Sequence, residues 1–82
     1  MYINSGYQNY LAVDKILAIS RCDSAPMRRM IMAAEDNDML IDHTMGRARR
    51  SVIILTTGHM VISAVETETL LQRVRTQSRG ES

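Results

Sequence analysis

Phenylalanine and tryptophan are missing from this sequence, and the aromatic side chains are Tyr2, Tyr7 and Tyr10 alone. A core drawn from this composition is aliphatic and rich in methionine. The scarcity argues against the aromatic stacking platforms by which many proteins hold single-stranded nucleic acid. A single cysteine, Cys22, cannot close an internal disulfide. Cys22, His43 and His59 match no zinc spacing, and no glycine pattern cradles a phosphate, so neither metal nor cofactor is expected. No apolar run approaches the roughly 18 residues of a membrane span, and no signal peptide is legible. The expectation is a soluble, cytoplasmic chain without a membrane partner.

Eighty-two residues make one domain. A chain of this size buries only roughly 60% of the surface its unfolded form exposes, so self-association is expected before any motif is read. The formal net charge of +1 says little about partners, but its distribution says more. Of the basic residues only Lys15 is lysine, a bias toward the guanidinium fork that grips phosphates bidentately. Between Asp42 and Glu66 there is no acid, and that stretch holds Arg47, Arg49 and Arg50, while Glu35, Asp36, Asp38 and Asp42 crowd just before it. Charge segregated in this way sets up a local positive field on a nearly neutral protein.

The pattern along the chain is α+β: a small antiparallel sheet with two helices, in one domain over residues 1–75, followed by a tail fraying over 76–82. Ile3-Asn4 reads as a short strand with a turn over Ser5 to Asn9, and Lys15 to Ser20 as a second strand that can start near Leu11. Ser24 caps a helix with Pro26 in its first turn, and Met27, Met30, Ile31 and Ala34 form its apolar stripe to about Asn37. Met39 to Ile41 is a short strand. Val52 to Leu55 and Met60 to Val65 are strands joined at Thr56-Thr57-Gly58, and both are apolar at consecutive positions. A sheet with one wet face alternates, so either helices cover both faces or a second copy covers one. Thr67 is the expected cap of a closing helix carrying Leu70, Leu71 and Val74.

Gly46-Arg47-Ala48-Arg49-Arg50 is the sharpest chemical feature. Glycine permits a tight bend, and three guanidiniums within four residues can dock phosphates; the plainer reading is a solvated turn partnered by acids such as Asp42. Arg28 and Arg29 stand near a helix N-terminus, where cations oppose the dipole; they read as an exposed pair or as partners of a carboxylate across a subunit interface. Met32 lies off the apolar stripe and is either a subunit contact or simply exposed. Asp42-His43 is the only arrangement with acid–base character, and neighbours on a strand point to opposite faces. No catalytic residue and no small-molecule substrate are expected.

Asn4-Ser5-Gly6-Tyr7-x-Asn9, Ala18-Ile19, and Asp23-Ser24-Ala25-Pro26-x-Arg28-Arg29-x-Ile31 resemble the bacterial extracellular-matrix regulator RemA family. So do Leu40-Ile41-Asp42-x-Thr44-x-Gly46-Arg47-x-x-Arg50-x-Val52-Ile53-Ile54, His59, Ser63-Ala64-Val65 and Glu68-Thr69. The resemblance implies a LytTR-like fold, a ring-shaped homo-oligomer, and activation of biofilm-matrix genes through basic residues that bind double-stranded DNA. Arg47 and Arg50 match the turn arginines of that family, and Lys15 falls where it has a basic residue before the second strand. Four positions depart. Ala48 stands where a second arginine is usual, Arg49 replaces a small polar residue, Thr67 a proline, and Gln8 a glycine. The expected DNA-binding residues are therefore Arg47, Arg49, Arg50 and Lys15, and the expected oligomer contacts Met32, Arg28 and Arg29. The competing expectation is a ring-forming protein-interaction or scaffold module that binds no DNA.

Overall fold

Strand propensity and apolar runs become six strands and two helices in the computed structural model, which describes residues 1–80. In order these are β1 (Tyr2–Gly6), β2 (Asn9–Ala12), a 3-10 turn at Val13–Lys15, β3 (Ile16–Arg21), α1 (Ala25–Asp36), β4 (Leu40–His43), β5 (Ser51–Leu55), β6 (Met60–Ser63) and α2 (Thr67–Gly80). The class is α+β, as expected. β1 and β2 form a separate hairpin, and the remaining strands form one sheet in the order β3-β5-β6-β4.

That sheet is mixed, where a purely antiparallel one was expected. β4 pairs parallel to β6, with Leu40 opposite Met60 and His43 opposite Ser63. The cause is the α1 crossover: a helix returns the chain to the end of the sheet where β3 began, so β4 runs in the direction of β3. The segment from Leu11 to Ser20 likewise divides, because β2 pairs with β1 and β3 with β5. The first turn narrows to Tyr7-Gln8, since β1 extends through Gly6.

The consecutive apolar residues of β5 and β6 are explained within one chain. Val52, Met60 and Ile62 are buried with Cys22, Ile31 and Ala34 beneath α1, and Ile54 packs against them. On the other face Ile53 and Val61 are buried with Ile3 and Leu70, beneath the β1–β2 hairpin and α2. Alternate residues of a strand face opposite ways, so both faces are covered without a second copy. Each full burial of a Val or Ile here stabilises the fold by roughly 1.5–3 kcal/mol.

Ser24 caps α1 as expected, its hydroxyl accepting from the Met27 N–H at 3.2 Å, with Pro26 in the first turn. Met30 does not join the core: it is 47% exposed, whereas Ile31 and Ala34 are buried. A helix lying on a sheet buries a narrow stripe, here centred on Met27, Ile31 and Ala34, and Met30 sits round its side. α2 starts one residue away from the expected cap. The Glu66 carbonyl accepts the Leu70 N–H at 3.0 Å, making Glu66 the cap and Thr67 the first helical residue. α2 is helical through Gly80, past Thr76 where fraying was expected. Glu81 and Ser82 of that tail lie outside the described residues. No helix among the described residues is long and apolar enough to cross a membrane.

Candidate nucleic-acid interface

The segment from Thr44 to Arg50 joins the C-terminal end of β4 to the start of β5 and has no strand register to follow. Its shape comes from local hydrogen bonds. The Asp42 carboxylate accepts from the Thr44 hydroxyl at 2.6 Å and the Thr44 N–H at 2.8 Å. These two bonds hold the Asp42 carboxyl below its usual range, with a smaller contribution from the Arg49 charge. The chain then passes through positive φ at Met45 (53°) and Gly46 (82°), and the Arg47 N–H reaches the Thr44 carbonyl at 3.0 Å. A Cβ at position 46 would meet nothing within 4 Å, so the demand for glycine there is conformational. The Arg50 N–H donates to the Ser63 carbonyl at 2.8 Å and brings the chain back to the sheet.

Arg47, Arg49 and Arg50 are all exposed. The structure gives each a different neighbour. The Arg47 Nε–H donates to the Tyr7 hydroxyl, and its guanidinium carbon lies 4.7 Å from the centre of the Tyr7 ring. Arg50 Nε lies 3.6 Å from a Glu66 carboxylate oxygen. Arg49 has no hydrogen-bonded or ion-paired side-chain partner among the described residues, though it lies close enough to Asp42 to act on its carboxyl.

Beneath the turn lies a group of buried hydroxyls that sequence reasoning did not single out: Ser5, Thr44, Ser51 and Ser63. The Ser63 hydroxyl donates to the Ser5 carbonyl and accepts the Val65 N–H at 3.0 Å. Ser51 donates to the Val65 carbonyl at 2.5 Å and meets the Thr67 hydroxyl at 3.0 Å. The Ser5 hydroxyl lies 2.6 Å from His43 Nδ1 and 3.1 Å from the Asn9 carbonyl. No buried side-chain polar atom is left without a partner among the described residues. The available signal was small hydroxyl residues bounding apolar runs, at Ser51 before Val52 and Ser63 after Ile62. His43 is bound by this group, not oriented by Asp42, and burial pushes its pKa below the ordinary value. Ser5 is wholly enclosed, so the Ser5–His43 contact braces a turn and presents no nucleophile to solvent.

The remaining expected residues lie elsewhere. Arg21 pairs with Ser51 and Ile16 with Leu55, so Lys15 stands at the end of the sheet opposite the arginines. Arg28, Arg29 and Met32 are exposed on α1, Met32 at 63%. Cys22 is buried beneath that helix, and His59 Nδ1 lies 2.7 Å from the Thr57 hydroxyl at the end that holds Lys15.

The sequence model of the family described as extracellular matrix regulatory protein A-like (RemA-like) matches residues 2–74. The chain belongs to the RemA-like family. Relatives named "Putative regulatory protein" agree with this. One from Carboxydothermus hydrogenoformans is 41% identical over 80 residues, covering 98% of this chain and 92% of the relative. One from Oceanobacillus iheyensis is 46% identical over 72 residues, 88% of this chain and 84% of the relative. One from Synechococcus elongatus is 39% identical over 79 residues, 96% and 90% of the two chains.

Two positions expected to depart from the RemA pattern, Gln8 and Thr67, have definite places in the structure. Gln8 adopts a φ of 65° next to Tyr7 at 52°, the two-residue hairpin turn that glycine and asparagine favour. Thr67 is the first helical residue, a position where proline is well tolerated, and its hydroxyl meets that of Ser51.

Proposed function

We propose that this chain is a DNA-binding transcriptional regulator that grips duplex phosphates through Arg47, Arg49 and Arg50, repeated around a homo-oligomeric ring. The observation that carries this reading is the exposure of three guanidiniums within four residues on a turn whose backbone is held by the Asp42 carboxylate, by the Arg47 N–H on the Thr44 carbonyl and by the Arg50 N–H on the Ser63 carbonyl. Three like charges held this close repel one another, and an anion of matching spacing relieves that repulsion. Phosphate contacts position a protein without reading sequence, so selectivity comes from DNA shape or the spacing of repeats. The name of the family supports a regulatory role connected with the extracellular matrix, and binding DNA would place that role in the cytoplasm. The ring and a LytTR-like arrangement belong to the same reading.

Self-association is supported by apolar side chains left in solvent: Leu17 on β3 and Met30 and Met32 on α1 are each about half exposed or more. Arg28 and Arg29 flank that surface and enter the subunit contact. Each protomer offers few phosphate contacts, and a ring raises the apparent affinity by repetition. Lys15 enters only as an outlying contact.

The test is salt-dependent binding to duplex DNA. Log K falls linearly with log salt at roughly −0.9 per phosphate neutralised, and several protomers on one duplex give a slope of magnitude above about 4. Arg50→Ala lowers the affinity several-fold or more and flattens the slope by about the number of protomers engaged. A salt-insensitive complex, or one indifferent to both Arg49→Ala and Arg50→Ala, would leave the scaffold reading in front.

A further inference from the structure

Tyr7 sits at the tip of the β1–β2 hairpin, far in sequence from the arginine turn, yet its ring and hydroxyl both meet Arg47. Several observations set this contact apart. The hairpin turn holds Tyr7 at φ 52°, a conformation that bulky side chains rarely adopt. The segment before it is anchored from below, because the Ser63 hydroxyl donates to the Ser5 carbonyl and Ser5 meets His43. Gly6 lets the hairpin approach closely: a Cβ there would lie 3.3 Å from Val65 Cγ2 and 3.5 Å from the His43 carbonyl. The Asn4 carboxamide and the Asn9 amide close the turn on either side, at 2.7 Å to the Gly6 N–H and 2.9 Å to the Gly6 carbonyl. A tyrosine is thus held rigidly beside the first arginine of the cluster.

Resting on the DNA-binding reading above, we propose that Tyr7 is a positioning residue that orders the Arg47 guanidinium for phosphate. Arginine has five N–H donors in a planar fork. The Nε–H is committed to the Tyr7 hydroxyl, which leaves the four Nη hydrogens to face an anion. The ring supports the cation without neutralising it, unlike the Glu66 carboxylate beside Arg50. Arg47 is therefore ordered and fully charged before the anion arrives. An arginine fixed in the free protein loses less freedom on binding, and ordering one such side chain is worth about two- to tenfold in affinity per contact.

The test is a double-mutant cycle on duplex binding, with wild type, Tyr7→Ala, Tyr7→Phe, Arg47→Ala and Tyr7→Ala/Arg47→Ala, each first checked for an unchanged circular dichroism spectrum and oligomer size. Tyr7→Ala is expected to lower affinity about two- to tenfold per engaged protomer while keeping the wild-type salt slope, because no charge is lost. Arg47→Ala flattens the slope, and adding Tyr7→Ala to it changes nothing further. Tyr7→Phe, which keeps the ring and loses the acceptor, falls between wild type and Tyr7→Ala. Additive losses would overturn the proposal in favour of a direct Tyr7–DNA contact, and an unaltered Tyr7→Ala affinity would overturn it outright. A second readout needs no DNA: the Arg47 Nε–H resonance of the free protein is expected to exchange slowly in wild type and fast in Tyr7→Phe. Fast exchange in wild type removes the contact and this inference with it. Slow exchange in a protein that binds no duplex would instead overturn the DNA-binding function and the role given to the ordered arginine, leaving only the contact standing.

Discussion

The two ends of the four-stranded sheet are built differently. At the end that holds Lys15 the connections close by backbone hydrogen bonds: Thr56 to Lys15 at 2.8 Å, Leu55 to His59 at 2.9 Å, Met60 to Met39 at 2.9 Å. The hairpin there uses Gly58, at φ 94°, where left-handed backbone is required. At the arginine end backbone bonds are joined by those of buried side-chain hydroxyls, and positive φ falls on Tyr7, Gln8 and Met45 as well as on Gly6 and Gly46. Apart from these three, the positive-φ residue other than glycine is Asp38, a type that tolerates this conformation. Local strain held in place by surrounding structure gathers where a site is pre-shaped. Conformational cost and positive charge coincide at one end of this molecule.

The largest effect that separates the two ends is expected from their hydroxyls. Ser63→Ala removes the partner of both the Ser5 carbonyl and the Val65 N–H, and each buried group left unpaired costs about 1–3 kcal/mol. The melting temperature should drop by roughly 10–35 °C for a domain of this size. Exposed Thr57 at the opposite end contacts only His59 through its hydroxyl, so Thr57→Ala should change stability by at most about 0.5 kcal/mol. Equal losses from the two substitutions in urea unfolding would erase the distinction between the ends.

This difference also marks how far the sequence could be read. The Ser24 cap, the bend at Gly46 and the apolar strands β5 and β6 were legible because each rests on local chemistry or on near neighbours. The parallel β4–β6 pair was not, since it follows from where a helix delivers the chain. The Tyr7–Arg47 contact joins residues 40 positions apart, and the Ser63–Ser5 bond residues 58 apart, which no local pattern encodes. The consecutive apolar residues of β5 and β6 left two explanations open, helices on both faces or a second copy. The structure answers with α1 on one face and with α2 and a hairpin on the other. The proposal of self-association then rests on chain size and on exposed Leu17, Met30 and Met32, not on an uncovered sheet.

Acid should act on the arginine end through His43. Its folded pKa lies below the unfolded value, chiefly because burial disfavours the charged form, with the Asp42 charge opposing. The unfolded chain therefore binds more protons than the folded one over the window from about 6.5, the ordinary histidine value, down to the folded pKa. Stability is complete above that window and declines as pH falls through it. Asp42 has the same sign at lower pH: its contribution is present above the ordinary carboxylate range and lost as pH falls through its depressed value. Urea unfolding at pH 7.5 and pH 5 should give a lower midpoint at pH 5, and His43→Gln should narrow the gap. A gap untouched by His43→Gln would assign the acid sensitivity to other groups.

A smaller effect concerns the acid beside Arg50. Both partners of the Arg50–Glu66 pair are more than half exposed, so the pair is worth about 0–1 kcal/mol to the fold. The carboxylate nonetheless competes with phosphate for the same guanidinium. Under the DNA-binding reading, Glu66→Gln should tighten duplex binding about two- to fivefold at low salt with little change in melting temperature. Lys15→Ala, at the other end, should shift affinity by less than about twofold. A Lys15→Ala loss as large as that of Arg50→Ala would show that the duplex spans the molecule.

The smallest effect sharpens the comparison at the level of two turns. Gln8 stands at φ 65° in the hairpin that carries Tyr7, whereas the opposite hairpin places glycine at its positive-φ position. Left-handed backbone costs an ordinary residue about 1–2 kcal/mol, and glycine gives back roughly 0.5–1 through its greater freedom in the unfolded chain. Gln8→Gly should therefore stabilise the fold by up to about 1 kcal/mol, a rise of a few degrees in melting temperature. Gly58→Ala should do the reverse, because its Cβ would be strained at φ 94° and would meet the Met39 methyl at 3.4 Å. The consequence for binding is separate from stability. A hairpin relieved at Gln8 keeps Tyr7 in its own left-handed conformation, so the Arg47 contact and the duplex affinity should be unchanged. If Gln8→Gly stabilises the protein yet weakens duplex binding, the strain at the hairpin tip is itself what presses Tyr7 against Arg47.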